Sequence, residues 1–143
     1  MTSRKAGAGL LQHGIALVLL STAAAKLLDL RGFARVLETY RVFRPAALPP
    51  AAIVVTAVEL GLGSLLWSGR FLPQAALASA ALHAGYAAWS GAALARGLRL
   101  ANCGCFGAFL ARPLTFWTVA EDLGIAGLSV ALFRLAAAEK EAK

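Results

Sequence analysis

The chain has 143 residues, 59% of them hydrophobic and 15% charged, with a formal net charge of +7 and a mean hydropathy of +0.71. A water-soluble domain of this length keeps too much of its chain at the surface to hide so much apolar area. The basic excess sits mainly between apolar runs, where lipid headgroups lie, and no basic, aromatic-interleaved face speaks for a nucleic-acid partner.

Four apolar segments, about 6–28, 46–67, 71–94 and 114–135, are each long enough to cross a hydrocarbon core of roughly 30 Å. The expected fold is therefore all-α: a single transmembrane domain built as an integral membrane four-helix bundle in the lipid bilayer. The first segment has a rival reading. Arg4 and Lys5, an apolar stretch and then Ser21-Thr22-Ala23-Ala24-Ala25 resemble a signal peptide with a small-residue cleavage site. The apolar run exceeds a usual signal core, and Leu27-Leu28 extend it past Lys26, so a retained helix is preferred. Lys26, at the end of this span, is expected to snorkel to the headgroups more than to catalyse, and is counted with Glu59, His83 and Asp122 among the intramembrane polar residues that could support a site.

Residues 31–44 follow. Phe33, Val36, Leu37, Tyr40 and Phe43 fall on one helical face, while Arg31, Arg35, Glu38 and Arg41 fall largely on others. This pattern suits a short amphipathic helix lying at the membrane interface, or equally an ordinary connector. Pro45 ends it, and Pro49-Pro50 suit the first turn of the next span. Ser68-Gly69-Arg70 reads as a tight hairpin, residues 96–113 as a loop, and residues 139–143 as a solvated tail.

With four spans, Arg4, Lys5, Arg70, Arg134, Lys140 and Lys143 share one side. Lys26, Arg31, Arg35, Arg41, Arg44, Arg96, Arg99 and Arg112 share the other. The basic count therefore leans slightly toward a cytoplasmic loop.

Chemistry concentrates in two places. Asn102-Cys103-Gly104-Cys105-Phe106-Gly107 puts two thiols one glycine apart, and Gly104 permits the tight turn that lets them meet. They form neither a disulfide framework nor a four-ligand zinc site. A bridge closing so small a ring is strained and easily reduced, which suits exchange better than stapling. Arg96, Arg99 and Arg112 flank the pair, and positive charge favours the reactive thiolate. The bland alternative is a glycine-rich loop whose cysteines merely pack.

The second place is the interior of the spans. Glu59 lies at the centre of span two, His83 at the middle of span three, and Glu121 and Asp122 in span four. Ionisable groups at that depth are costly and are usually paired or functional. Ser79, His83, Tyr86 and Ser90 share one stripe, Thr115, Thr118 and Asp122 a second, and Thr56, Glu59 and Gly63 a third. Glu59 is expected near His83, with Asp122 on the same inner surface. Glu121 and Asp122 stand about 100° apart around a helix, so only one points fully inward. These groups suit a proton relay, a site for a polar ligand such as a quinone head, or interhelical hydrogen bonds that fix register. His13 and His83 could in principle ligate a haem, with nothing else in support. Trp67, Trp89 and Trp117 lie toward span ends, as interfacial anchors do.

Ala25-Lys26-Leu27-Leu28-Asp29, Phe33, Tyr40, Val58-Glu59-Leu60-Gly61 and Cys103-Gly104-Cys105-Phe106-Gly107 together resemble the MauE family of methylamine-utilisation membrane proteins, within the wider DoxX-like group of redox-associated four-helix proteins. That resemblance implies a bacterial inner-membrane protein. It also implies a thioredoxin-like periplasmic partner in making or maintaining disulfides of exported proteins, with Cys103 and Cys105 carrying electrons, Glu59 in the family core and the loop in the periplasm. Two further functions remain open: a non-catalytic subunit of a larger membrane complex, and soft-metal handling with the two thiolates on Cu(I).

Overall fold

The computed structural model describes residues 2–141, with side chains placed for residues 7–138. Arg4, Lys5, Lys140, Lys143 and the expected solvated tail lie outside those described side chains. The described chain is all-helical: α1 (Thr2–Leu28), α2 (Leu30–Thr39), a 3-10 turn (Pro45–Ala47), α3 (Leu48–Ser68), α4 (Leu72–Ala95) and α5 (Phe116–Glu141).

Three stretches, Gly7–Leu28, Pro45–Ser68 and Phe116–Ala138, are long and apolar enough to cross a membrane. Their exposed Leu17, Ile53, Val54, Trp117 and Leu123 suit a hydrocarbon solvent and would be a liability in water. Helix α4 is equally long but is not among the three. Its alanines contribute less hydropathy than leucines, and Ser79, His83, Tyr86 and Ser90 occupy inward positions.

Helix boundaries follow local chemistry. Asp29 breaks α1 from α2, and its carboxylate accepts a 2.7 Å hydrogen bond from the Gly32 amide, capping α2. Helix α2 buries Gly32, Phe33 and Leu37 against α3 and exposes Arg31, Arg35 and Glu38. It stops at Thr39 and does not run on to residue 44, because Arg41 takes a left-handed conformation at φ 56° and turns the chain. Proline in the first turn opens α3, and left-handed Gly69 closes it.

The long helices pack as two couples, α1 along α3 and α4 along α5, which meet each other more sparsely. Ile15, Ala16 and Leu19 of α1, Leu66 of α3, Ala75 and Ala76 of α4 and Leu132 of α5 form the apolar core at one end of the bundle. Small residues allow close approach, as membrane helix interfaces favour. At Gly63, an added Cβ would stand 2.9 Å from Leu20 Cγ and 3.2 Å from Leu19 Cβ. At Gly61, two residues away, it would meet nothing within 4 Å.

That contrast gives a first prediction. Gly63→Leu forces α1 from α3 and lowers the thermal unfolding midpoint in detergent, at a cost typical of overpacking, about 1–3 kcal/mol. Gly61→Leu leaves the midpoint unchanged.

Candidate functional site

The cysteines sit in the connection between α4 and α5, which is irregular but closely tied. The Cys103 amide donates to the Arg112 carbonyl at 2.7 Å, and the Leu114 amide to the Leu100 carbonyl at 3.0 Å, drawing the two arms together. Asn102 braces the turn between them: its Oδ1 accepts from the Gly104 amide at 2.9 Å, and its Nδ2 donates to the Gly107 carbonyl at 2.9 Å. Gly104 and Gly107 are left-handed, with φ 81° and 61°. A Cβ at Gly107 would stand 3.0 Å from Lys26 Cα, and one at Gly104 would stand 3.1 Å from Val36 Cγ1. Only glycine meets both the backbone requirement and the close approach, and so the loop seats directly on the end of α1 and on α2.

This seating brings the two sulfurs to 2.7 Å, both as free cysteines. Cys103 is buried and Cys105 half-buried. The Cys105 amide also points at Cys103 Sγ, 3.4 Å away. The hydrogen bond from the Cys105 thiol is the chief reason that the Cys103 thiol is pulled down to about 6, with its neighbour's amide and the Arg112 guanidinium helping against burial. The same hydrogen bond, then burial, pushes the Cys105 thiol up. One cysteine of the pair is thus a ready thiolate and the other holds its proton.

Beneath the loop lies a charge pair. Lys26 and Glu59 are 3% and 2% exposed, and Lys26 Nζ donates to the carboxylate oxygens of Glu59 at 2.9 and 2.8 Å. The third ammonium hydrogen bond, 2.8 Å, goes to the Cys105 carbonyl. Glu59 also accepts from the Tyr86 hydroxyl at 2.8 Å and, more distantly, from Thr22 at 3.4 Å. A single salt bridge therefore joins α1, α3, α4 and the cysteine loop. Tyr40, at the end of α2, adds a second clamp: its hydroxyl donates to the Cys103 carbonyl at 2.8 Å. The backbone carbonyls of both cysteines are thereby held by buried side chains from elsewhere in the bundle.

A cavity of about 690 Å³ opens inward from the sulfurs. Cys103, Cys105, Glu59, His83, Tyr86 and Asp122 are among its walls. His83 and Asp122 therefore share a space with the thiols, and Glu59 and His83 face it together. They are not bonded to each other, however. Glu59 goes to Lys26, Tyr86 and Thr22, whereas His83 Nδ1 lies 2.9 Å from the Ser79 carbonyl.

The structure revises several sequence expectations. Lys26 does not snorkel; its ammonium turns inward because a carboxylate and a carbonyl await it there. Arg112 reaches the cavity wall, where it holds Glu121 at 2.9 Å, and Glu121 and Asp122 are both half-buried and both line the cavity. Arg96 instead donates to the Tyr40 carbonyl at 3.0 Å, and Arg99 is exposed. Thr115 precedes α5 and is exposed, its amide donating to Thr118 Oγ1 at 3.3 Å, so it does not extend the polar stripe. His13 is exposed and lies edge-on to Trp67 outside the cavity, so the structure does not unite it with His83 in a haem site. The Tyr86–Glu59 hydrogen bond and the Tyr40 clamp were missed from sequence. Tyr86 at a helical offset of three from His83 was the available signal for the first.

Two measurements follow. Lys26→Met alone strands a buried carboxylate and lowers unfolding stability by about 3–5 kcal/mol, whereas Lys26→Met with Glu59→Leu recovers most of the loss. Thermal unfolding of the purified variants in detergent reads both. Alkylation of Cys103 by iodoacetamide stays fast down to about pH 6 and falls below it as the thiolate takes up a proton. Arg112→Met moves that midpoint upward.

A family profile described as Methylamine utilisation protein MauE matches residues 4–136. The chain is 30% identical over 118 residues to the Methylamine utilization protein MauE of Paracoccus denitrificans, a stretch covering 82% of this chain and 63% of that relative. The chain thus spans under two thirds of the relative's length. No solved structure matches the chain. The matched residues take in the cysteine loop, both of its clamps and nearly all of the described bundle, and on that footing the chain belongs to the MauE family of membrane proteins.

Proposed function

We propose that this MauE-family protein is a membrane thiol–disulfide component whose Cys103–Cys105 pair exchanges with a thioredoxin-like partner. The observation that carries the reading is the asymmetric dithiol, with sulfurs 2.7 Å apart and the Cys103 thiol drawn down to about 6. Exchange needs a thiolate beside a second sulfur that resolves the mixed disulfide. In the oxidising half-cycle a partner thiolate attacks the Cys103–Cys105 bridge. A mixed disulfide forms, and the partner's second thiol displaces it. The partner leaves with its own disulfide, and Cys103 and Cys105 keep two electrons and one proton, the other passing to water. A lipid-soluble quinone is the acceptor that takes the two electrons with that proton and one from water, and restores the bridge.

In this reading α1, α3, α4 and α5 all cross the bacterial inner membrane, α2 lies at its surface, and the loop faces the periplasm, where disulfides persist. The kinship extends to the DoxX-like group, and the service rendered is disulfide formation or maturation of exported proteins. The uneven charge between the two sulfurs favours this role over a purely structural subunit, for which two inert thiols would serve.

Cys105→Ser leaves Cys103 without its resolving neighbour, and is expected to accumulate a mixed disulfide visible on non-reducing gels of intact membranes. Cys103→Ser with Cys105→Ser shows none. An impermeant maleimide added to intact cells labels the loop after reduction. Should neither single variant trap a partner, and function survive loss of both thiols, the chain is an assembly subunit and the redox reading fails.

A further inference from the structure

The cavity beneath the sulfurs has two kinds of wall. Its exposed lining residues, Val18, Phe43, Ala81, Gly85, Gly124 and Leu128, are all apolar, whereas its titratable side chains are all buried or half-buried. It therefore opens toward hydrocarbon and turns polar only at depth. Beside Gly85 of α4 and Gly124 of α5 the space is open, since a Cβ at either would meet nothing within 4 Å.

The polar end holds groups without partners. His83 is 3% exposed and approaches the Ser79 carbonyl through Nδ1. A carbonyl only accepts, so Nδ1 carries the proton and Nε2 of the neutral ring is an acceptor. Among the described residues every sealed side-chain nitrogen and oxygen has a hydrogen-bond partner, and Nε2 has none, so it is not sealed. The open space at His83 is the cavity. The Asp122 carboxyl lines the same space and likewise makes no hydrogen bond among the described residues.

The geometry points to this cavity as the binding site of the lipid-soluble quinone, its ring lodged between the two helix couples beside the sulfurs and its oxygens at the polar end, by His83, Tyr86 and Asp122. The inference rests on the proposed dithiol chemistry and deepens it. Oxidation of the pair breaks the Cys105 S–H bond and joins that sulfur to the Cys103 thiolate in one S–S bond. Two electrons pass to the quinone with the Cys105 proton and one from water, which replaces the proton that Cys103 gave up, and its two carbonyl oxygens become the hydroxyls of the quinol. An acceptor for that step must enter from hydrocarbon, lie against the sulfurs and leave its product's hydroxyls facing hydrogen-bond acceptors, here His83 Nε2 and the Asp122 carboxyl, and this one space meets all three needs. A volume of about 690 Å³ accommodates a quinone ring with the start of its tail, within the usual range for small-molecule sites.

The test uses the whole protein in lipid nanodiscs and a short-tailed azidoquinone as photoaffinity probe. Label is expected on the α4 and α5 peptides that line the cavity, competed by decyl-quinone and retained in Cys103→Ser with Cys105→Ser. Gly85→Leu with Gly124→Leu fills the space without touching a titratable group. It is expected to cut both labelling and quinol formation by the reduced protein at least about tenfold, equivalent to about 1.4 kcal/mol of binding. Circular dichroism checks that the helices persist, and Gly61→Leu, outside the cavity, serves as control. Label spread over the lipid-facing surface, label that decyl-quinone does not displace, or undiminished quinol formation in the filled variant overturns the inference. So does a mixed disulfide with a partner but no quinone reduction, which leaves the thiol reading standing. Competed cavity label without any thiol exchange supports the site and sinks the thiol reading.

Discussion

The Lys26–Glu59 ion pair organises the rest of the structure. Two opposite charges far from water are tolerable only when each satisfies the other and their remaining hydrogen-bonding capacity is filled. Here it is filled by Thr22, Tyr86 and the Cys105 carbonyl. The pair therefore does more than neutralise. It dictates how α1 and α3 are rotated, draws α4 in through Tyr86, and fixes the height at which the cysteine loop rests. Buried charge is often a poor source of net stability, and its better use is to specify one arrangement among several. A core of alanine, leucine and small residues has few other features that would choose a single register.

That specificity bears on the sulfurs. The backbone of the CGC turn is held from beneath by Lys26 and from the side by Tyr40, while Asn102 closes it internally. The side chains of Cys103 and Cys105 have little freedom left, and this fixed geometry allows one thiol to donate to the other. The depressed Cys103 thiol is thus a product of the loop's anchoring as much as of nearby arginine. The sparse meeting of the two helix couples has the complementary effect. It leaves a space below the sulfurs that opens between apolar walls and ends among polar groups.

How much of this was legible in the sequence follows from which interactions are local. Helices α1, α3 and α5 announce themselves through long apolar runs, and the bend at Asp29 and the stop at Gly69 come from residues with strong backbone preferences, whereas the end of α2 at Thr39, set by left-handed Arg41 and not by Pro45, was not legible. Membrane residence is a matter of composition and was equally plain. The cysteine pair was visible because its two members are neighbours in the chain. Lys26 was not readable, because a lysine near a helix end looks the same whether it reaches out to headgroups or in to a carboxylate 33 positions away. Arg96 and Arg99 were read as companions of the thiols on proximity in sequence alone, but the turn at Gly97 sends them elsewhere, and only Arg112, brought back by the pairing of the loop's arms, stays. The same limit hid Tyr40 and Tyr86, whose partners lie in other helices.

The order in which the salt bridge is assembled has a consequence for biogenesis. Lys26 is synthesised well before Glu59, so for an interval during translation its ammonium has no carboxylate to meet. Its place two residues from the end of α1 lets the flexible stem reach water during that wait. The seat for the cysteine loop is complete only once Glu59 has been made, and the loop itself comes still later in the chain. The helix end is thus a temporary parking place that makes a deeply buried ammonium compatible with stepwise membrane insertion.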